Sequence, residues 1–560
     1  MTQTLATQSH GLAASPVGRP VGRLGALALV VAALVLAPLA AVVANLFLPS
    51  QSTWSHLAAT VLPAYLANTL GLLAGVALGV ISIGVTTAWL VTTCRFPGGR
   101  VLEWALLLPL AMPAYVMAYA YTDWLQFSGP VQSALRELTG WKAREYWFPE
   151  VRSLPGAIAM LSFTLYPYVY LLARAAFLEQ SSRAMEVGRL AGHGAWGSFF
   201  HVALPLARPG IVAGSALALM EALADFGTVS YFAVQTFTTG VYRAWLSLGD
   251  AVAASQLATT MLAFVAVLVM AERWSRGRAR YAGGGASRRV RPQPLRGWHA
   301  WLATVACAAP LLFGFMVPTV VLGRMIAREE ELHLGQRFIA LVADSFTLAT
   351  ITALLAALVA VLLAYAARLS KHPLVGGANR IVTLGYALPG VVIAVGILVP
   401  VGKLDNALAG WLKGAFGVST GLIFTGTIAA LVYAYLVRFL AAALQTVEAG
   451  LAKVTPSMDD AARSLGLTAE GAFARVHLPM LAPSLLTAAL LVFVDVMKEL
   501  PATFAMRPFN FDTLAVEAYN LAKDERLAEA AVPSLVIVAV GLLPIILLSR
   551  QIAKSRAGRA

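Results

Sequence analysis

The chain has 560 residues, of which 59% are hydrophobic and only 12% charged, and its mean hydropathy is +0.75. A soluble domain carries about 25% charge, and a chain this apolar cannot cover a globule with polar surface, so an ordinary soluble protein, a disordered tail and a collagen-like fibre are excluded. The net charge of +14 gives no case for nucleic-acid binding, because the basic residues collect between apolar blocks, the pattern of short loops at a membrane face.

Residues 1–23 read as a cytoplasmic N-terminal segment, polar and rich in small residues over its first 18. A bilayer-spanning helix needs about 20 apolar residues. About twelve such stretches follow, near 24–48, 65–93, 102–123, 155–178, 209–233, 252–272, 301–323, 343–368, 381–402, 420–444, 483–506 and 531–549. The first is too long for the apolar core of a signal peptide, about 7–15 residues, and reads as an uncleaved span. Short alternating segments of a membrane β-barrel are lacking. The expected fold is therefore an all-α polytopic membrane protein of about twelve transmembrane helices.

Arg95 and Arg100, then Arg174, Arg183, Arg189 and Arg208, then Arg368, Lys371 and Arg380 fall in alternate loops, and Arg550, Lys554, Arg556 and Arg559 in the tail. These loops and both termini are expected on the cytoplasmic side of a bacterial inner membrane. The opposite loops are mixed or acidic, with Glu329, Glu330 and Glu331 in one and Asp512, Glu517, Asp524 and Glu525 in another. Between the halves, 273–300 is a basic linker with Gly283, Gly284 and Gly285, a flexible connector by composition. It separates a first repeat, 24–272, from a second, 301–550, with a cytoplasmic tail at 551–560.

The two halves repeat. Glu186-Val187-Gly188, Gly192 and Val202-Ala203-Leu204-Pro205 return as Asp460-Ala461-Ala462, Gly466 and Val476-His477-Leu478-Pro479 at a constant offset of 274, and Pro113 returns as Pro389 at 276. Each half holds about six spans, so the repeats are parallel, related by an axis along the membrane normal. In the second copy Ser457 and Asp460 fit a capping box. The helix they open should stop at Gly466, and a second short helix should be closed by Pro479.

This loop resembles the E-A-A-x3-G-x9-I-x-L-P signature of binding-protein-dependent ABC importer permeases, with Asp460 for Glu and Val476 for Ile; the first copy departs at Val187 and Gly188. The resemblance implies a type I importer fold in which each loop docks on an ATPase subunit, through Glu186, Gly192, Leu204 and Pro205 in one half and Asp460, Ala461, Ala462, Gly466, Leu478 and Pro479 in the other. It further implies two ATPase copies, which bind ATP and Mg, and a periplasmic substrate-binding protein. The stretch Glu221 to Val234, with Phe237 to Arg243, and Tyr166 to Arg174 resemble the fused permeases of ferric-iron importers; relatives carry thiamine, polyamines, phosphonates or oxyanions. The chain has no G-x-x-x-x-G-K-[ST] phosphate loop and no recognisable catalytic triad, so it reads as a transport subunit without its own cofactor or ATPase site.

Four acids lie at membrane depth, where ionisable groups are costly and are functional candidates. Glu221 and Asp225 share a helix face, as do Asp495 and Glu499, and the pairs superpose at the offset of 274. From Pro209, Glu221 lies roughly 18 Å in and Asp225 roughly 24 Å. Two readings stand side by side. The acids, with Tyr231, line a path for a hard cation, with Asp225 and Glu499 as transient Fe(III) ligands but no stable metal site. Alternatively they are structural, with Lys498 neutralising part of the cluster and some acids bonding backbone at broken helices. Gly71, Gly75 and Gly79 form a small-residue stripe for helix packing. An ion-coupled secondary transporter is the alternative architecture-level reading, and a non-transporting membrane scaffold is a third.

Overall fold

The computed structural model describes residues 22–48, 53–142, 145–179, 195–276, 293–328, 335–370 and 372–557. Among these residues, eleven helices are long and apolar enough to cross a membrane, and a bent pair, Gly99–Ala111 with Ala114–Thr139, makes a twelfth. Each overlaps one of the twelve expected stretches. The described strands are two residues each, Cys94–Arg95 pairing in parallel with Gln293–Pro294.

The ends of the spans differ from the hydropathy reading, and prolines and acids explain why. The third span turns by 92° at Met112, which is extended because the following Pro113 disfavours the helical region for the residue before it. Leu388, before Pro389, is extended in the same way, so the stretch 381–402 is divided between the end of helix Pro373–Leu384 and helix Gly390–Phe416. The expected spans 209–233 and 483–506 stop early, at Ala224 and Met497, and short helices Gly227–Tyr231 and Pro501–Met506 follow.

Two expectations for the second copy of the repeated loop are corrected. The helix there is Pro456–Ser464 with Thr455 as N-cap, so Ser457 lies inside the first turn and no capping box forms; Pro456 takes the first helical position, which proline favours. Nor does Pro479 close a helix. The chain runs through a π-helical turn, Phe473–His477, straight into Leu478–Met497, because Pro479 sits where the wider turn absorbs its missing N–H. The first half repeats this device with Phe199–Ala203 leading into Leu204–Ala224. Gly466 does terminate the helix as expected. Its φ is +79°, Gly466 N–H donates to Arg463 O, and Leu467 N–H donates to Ala462 O, a Schellman motif.

Helix packing relies on small residues. Helix Leu62–Thr93 lies along Leu154–Glu179, and a Cβ added at Gly79 would collide with Ser162 Oγ, one at Gly75 with the Ile158 side chain at 2.5 Å. The two halves also exchange arms. Helix Gly22–Ala44 packs on Gln336–Leu369, Pro373–Leu384 and Gly390–Phe416 of the second half, while Trp298–Leu311 packs on Leu62–Thr93 and Gly99–Ala105 of the first.

Candidate functional site

Where the halves meet, a cavity of about 120 Å³ is lined by Glu221, Asp225, Asp495 and Glu499, with Tyr115, Tyr168, Tyr386, Arg438 and Lys498. The breaks after Ala224 and Met497 put the acids there. Asp225 Oδ1 accepts from the backbone N–H of Thr228 (3.0 Å) and Val229 (3.1 Å), and Oδ2 from the Thr228 hydroxyl (3.1 Å). Glu499 accepts from the N–H of Ala502 (2.9 Å) and Thr503 (3.0 Å) and from the Thr503 hydroxyl (2.7 Å). The acceptor and its two backbone donors repeat at the offset of 274, while the hydroxyl donor shifts by one position, from Thr228 to Thr503. Both carboxylates thus satisfy the free N–H groups of a helix start inside the bundle.

The other two acids meet cations. Lys498 Nζ lies 2.8 Å from Asp495, not on Glu499. Arg438, from helix Ile428–Leu451, reaches Glu499 at 3.2 Å and Glu221 of the first half at 3.4 Å. Four carboxylates against two cations leave the lining with two uncompensated formal negative charges. Arg438 was missed from sequence although it stands mid-way along an apolar span, the same signal that marked the acids. Among the described residues no three His, Cys, Asp or Glu side chains converge as a metal site.

Tyr231 lies elsewhere. It is buried against Tyr119, with ring centroids 4.8 Å apart, and its hydroxyl accepts from Arg152 at 3.0 Å. Arg152 also forms a two-pronged pair with Glu525 of the second half, at 2.8 and 2.9 Å. That hydrogen bond holds the Glu525 carboxyl below its usual range, against burial, which raises it. The break after Ala224 and the short helix Gly227–Tyr231 that follows it, in place of one continued helix, carry Tyr231 out of the cavity lining.

Of the residues expected from sequence to dock an ATPase subunit, Glu186 and Gly192 lie outside the described residues. Leu204 is half-buried and Pro205 exposed. In the second copy Asp460, Ala461, Gly466, Leu478 and Pro479 are exposed and Ala462 is buried. Asp460 pairs with Arg463 at 2.8 Å. The neighbouring acid fixes the loop: Asp459 accepts from Arg368 at 2.6 Å and pairs with His477 at 2.7 Å. Burial raises the Asp459 carboxyl, but the hydrogen bonds from Arg368 and His477 outweigh it and hold it below the usual range. Leu465, at the corner, is 82% exposed.

A family model described as "binding-protein-dependent transport system inner membrane component" matches the chain twice, over residues 81–276 and 356–555. The Fe(3+)-transport system permease protein FbpB 2 of Haemophilus influenzae is 25% identical over 495 residues, 87% of this chain and 90% of its own length. The molybdenum transport system permease protein ModB of Escherichia coli is 28% identical over 200 residues, 34% of this chain and 83% of its own. A probable ABC transporter permease protein of Sinorhizobium fredii, y4fN, is 24% identical over 520 residues, 87% of each chain. The chain belongs to the family of binding-protein-dependent transport system inner membrane components, and it carries the family's domain twice, as the fused permease of an ABC importer.

Proposed function

We propose that this permease conducts ferric iron through the cavity bounded by Glu221, Asp225, Asp495 and Glu499. It receives the ion from a periplasmic binding protein and takes the work of transport from two ATPase subunits docked on its two loops, with both termini cytoplasmic. The observation that carries the reading is the excess of carboxylate in the cavity lining. Hard cations prefer carboxylate oxygen, and uncompensated negative charge at low dielectric repels an oxyanion. The relative named for Fe(3+) transport, aligned over both repeats, supports it further. For docking, the support is the exposed Leu465 at a rigid glycine corner tied to two spans through Asp459.

The test is reconstitution of the chain with its ATPase and binding protein in proteoliposomes, measuring uptake of radioactive ferric iron and of molybdate. Iron uptake is expected, with a loss of about tenfold or more in the Asp225→Asn, Glu499→Gln double variant while the ATPase still co-purifies. Removing two charges from the path is worth at least that factor. Unchanged iron uptake by the double variant, or molybdate uptake in place of iron, overturns the reading. Arg438 and Lys498, also facing the cavity, are what would favour the oxyanion outcome.

A further inference from the structure

Arg438 sits about ten residues into helix Ile428–Leu451, roughly 15 Å from its start, and is 7% exposed. Its two terminal nitrogens point to different halves of the molecule, one to Glu499 and one to Glu221. Its Nε is buried without a hydrogen-bond partner. The repeat supplies no counterpart: the position 274 residues earlier is Thr164, which also lines the cavity.

The Arg438 contacts are long for buried ion pairs. Charge-assisted N–H···O pairs normally close to about 2.7–2.9 Å. Arg152–Glu525 does so on two prongs, and Arg368–Asp459 on one at 2.6 Å. Arg438 instead stretches to 3.2 and 3.4 Å across two carboxylates with one donor idle. Space is reserved for it: a Cβ at Gly390 would stand 2.7 Å from Glu499 Oε1 and 2.9 Å from an Arg438 terminal nitrogen.

We infer that Arg438 is a tethered counter-cation that the cargo must displace: it holds Glu221 and Glu499 until a hard multivalent cation competes for the same oxygens, and its release breaks the ion pair joining the halves at the cavity. This rests on the reading that the cargo is a cation. A trivalent ion attracts the two carboxylates more strongly than one delocalised guanidinium does. The residue therefore sets a threshold that weakly charged ions fail to cross, and it links cargo arrival to loosening between the halves.

The experiment uses the full chain purified with its ATPase subunits in detergent and Tb3+ as the probe, read by luminescence sensitised by Tyr115, Tyr168 and Tyr386 in the cavity lining. Arg438→Gln is expected to tighten Tb3+ binding by about tenfold or more, as removal of one full charge at contact distance implies. Arg438→Lys should stay near the wild-type affinity. Adding Glu221→Gln to Arg438→Gln should abolish the gain. Unchanged or weaker binding in Arg438→Gln, or a gain that survives Glu221→Gln, overturns the inference. Gly390→Ala keeps every charge but crowds the pair, and serves if Arg438→Gln does not assemble: tighter Tb3+ binding supports displacement and unchanged binding refutes it. Wild-type iron uptake is read separately, so a failure of the cargo reading is distinguishable from a failure of this one.

Discussion

Single polar residues inside this bundle are legible from sequence in type but not in partner. The four acids announce themselves because each interrupts an apolar run, yet which of them would meet a cation and which a helix start depends on where the helices break. Asp405 shows the same limit. It is fully buried, and its carboxylate accepts from the backbone N–H groups of Ile423, Phe424 and Thr425 and from the Thr425 hydroxyl. This anchors the loop that precedes helix Ile428–Leu451, the helix carrying Arg438. Hydrogen bonds to a charged group are worth about 1.5–3 kcal/mol each, and orphaned buried donors add their own cost. Asp405→Ala is expected to destabilise the protein by on the order of 3 kcal/mol, read as a lowered thermal midpoint in detergent. A variant as heat-stable as the wild type would show that the loop needs no such anchor.

At the scale of elements, periodicity and offset located the repeated loop but not the way it is built. The glycine turn was readable because a positive φ favours glycine, and Gly466 has it. The π-helical turns were not readable, since Leu-Pro looks like a stop when the wider turn that lets a helix pass through it leaves no mark in composition. Asp459 was overlooked beside Asp460 because only the fold brings Arg368 and His477 to it. Its lowered carboxyl gives a signed pH dependence. A depressed carboxylate contributes stability that is fully present above its unfolded value, about 3.9, and lost as pH falls through the folded value. The difference in thermal midpoint between wild type and Asp459→Asn should therefore still be present at pH 5 and shrink toward zero as pH falls below about pH 4. At neutral pH it should correspond to on the order of 1 kcal/mol. A difference that already vanishes near pH 6 would assign the anchoring to another group.

Across the whole molecule, duplication was visible in sequence because loop motifs kept their spacing, whereas the exchange of arms was invisible: hydropathy says that a helix is buried, not against which half. The first helix of each half packs on the other half. Tyr115 donates to Lys498 O at 3.4 Å, Ser230 and Tyr519 share a hydrogen bond of 2.7 Å, and Phe226 packs on Phe504 with centroids 5.4 Å apart. Association within a membrane depends on such packing and interhelical hydrogen bonds, because lipid removes the hydrophobic drive. The halves should therefore hold together without the covalent connection. Residues 1–285 and 286–560, co-expressed as separate chains, are expected to co-purify and to retain ATPase-coupled uptake. Deleting residues 1–48 from the first of them removes one exchanged arm and should cut recovery of the pair sharply. Were the truncated first half to capture its partner as well as the intact one does, the exchanged helix would contribute nothing to assembly, and the joining force would reside in the central charged and aromatic contacts alone.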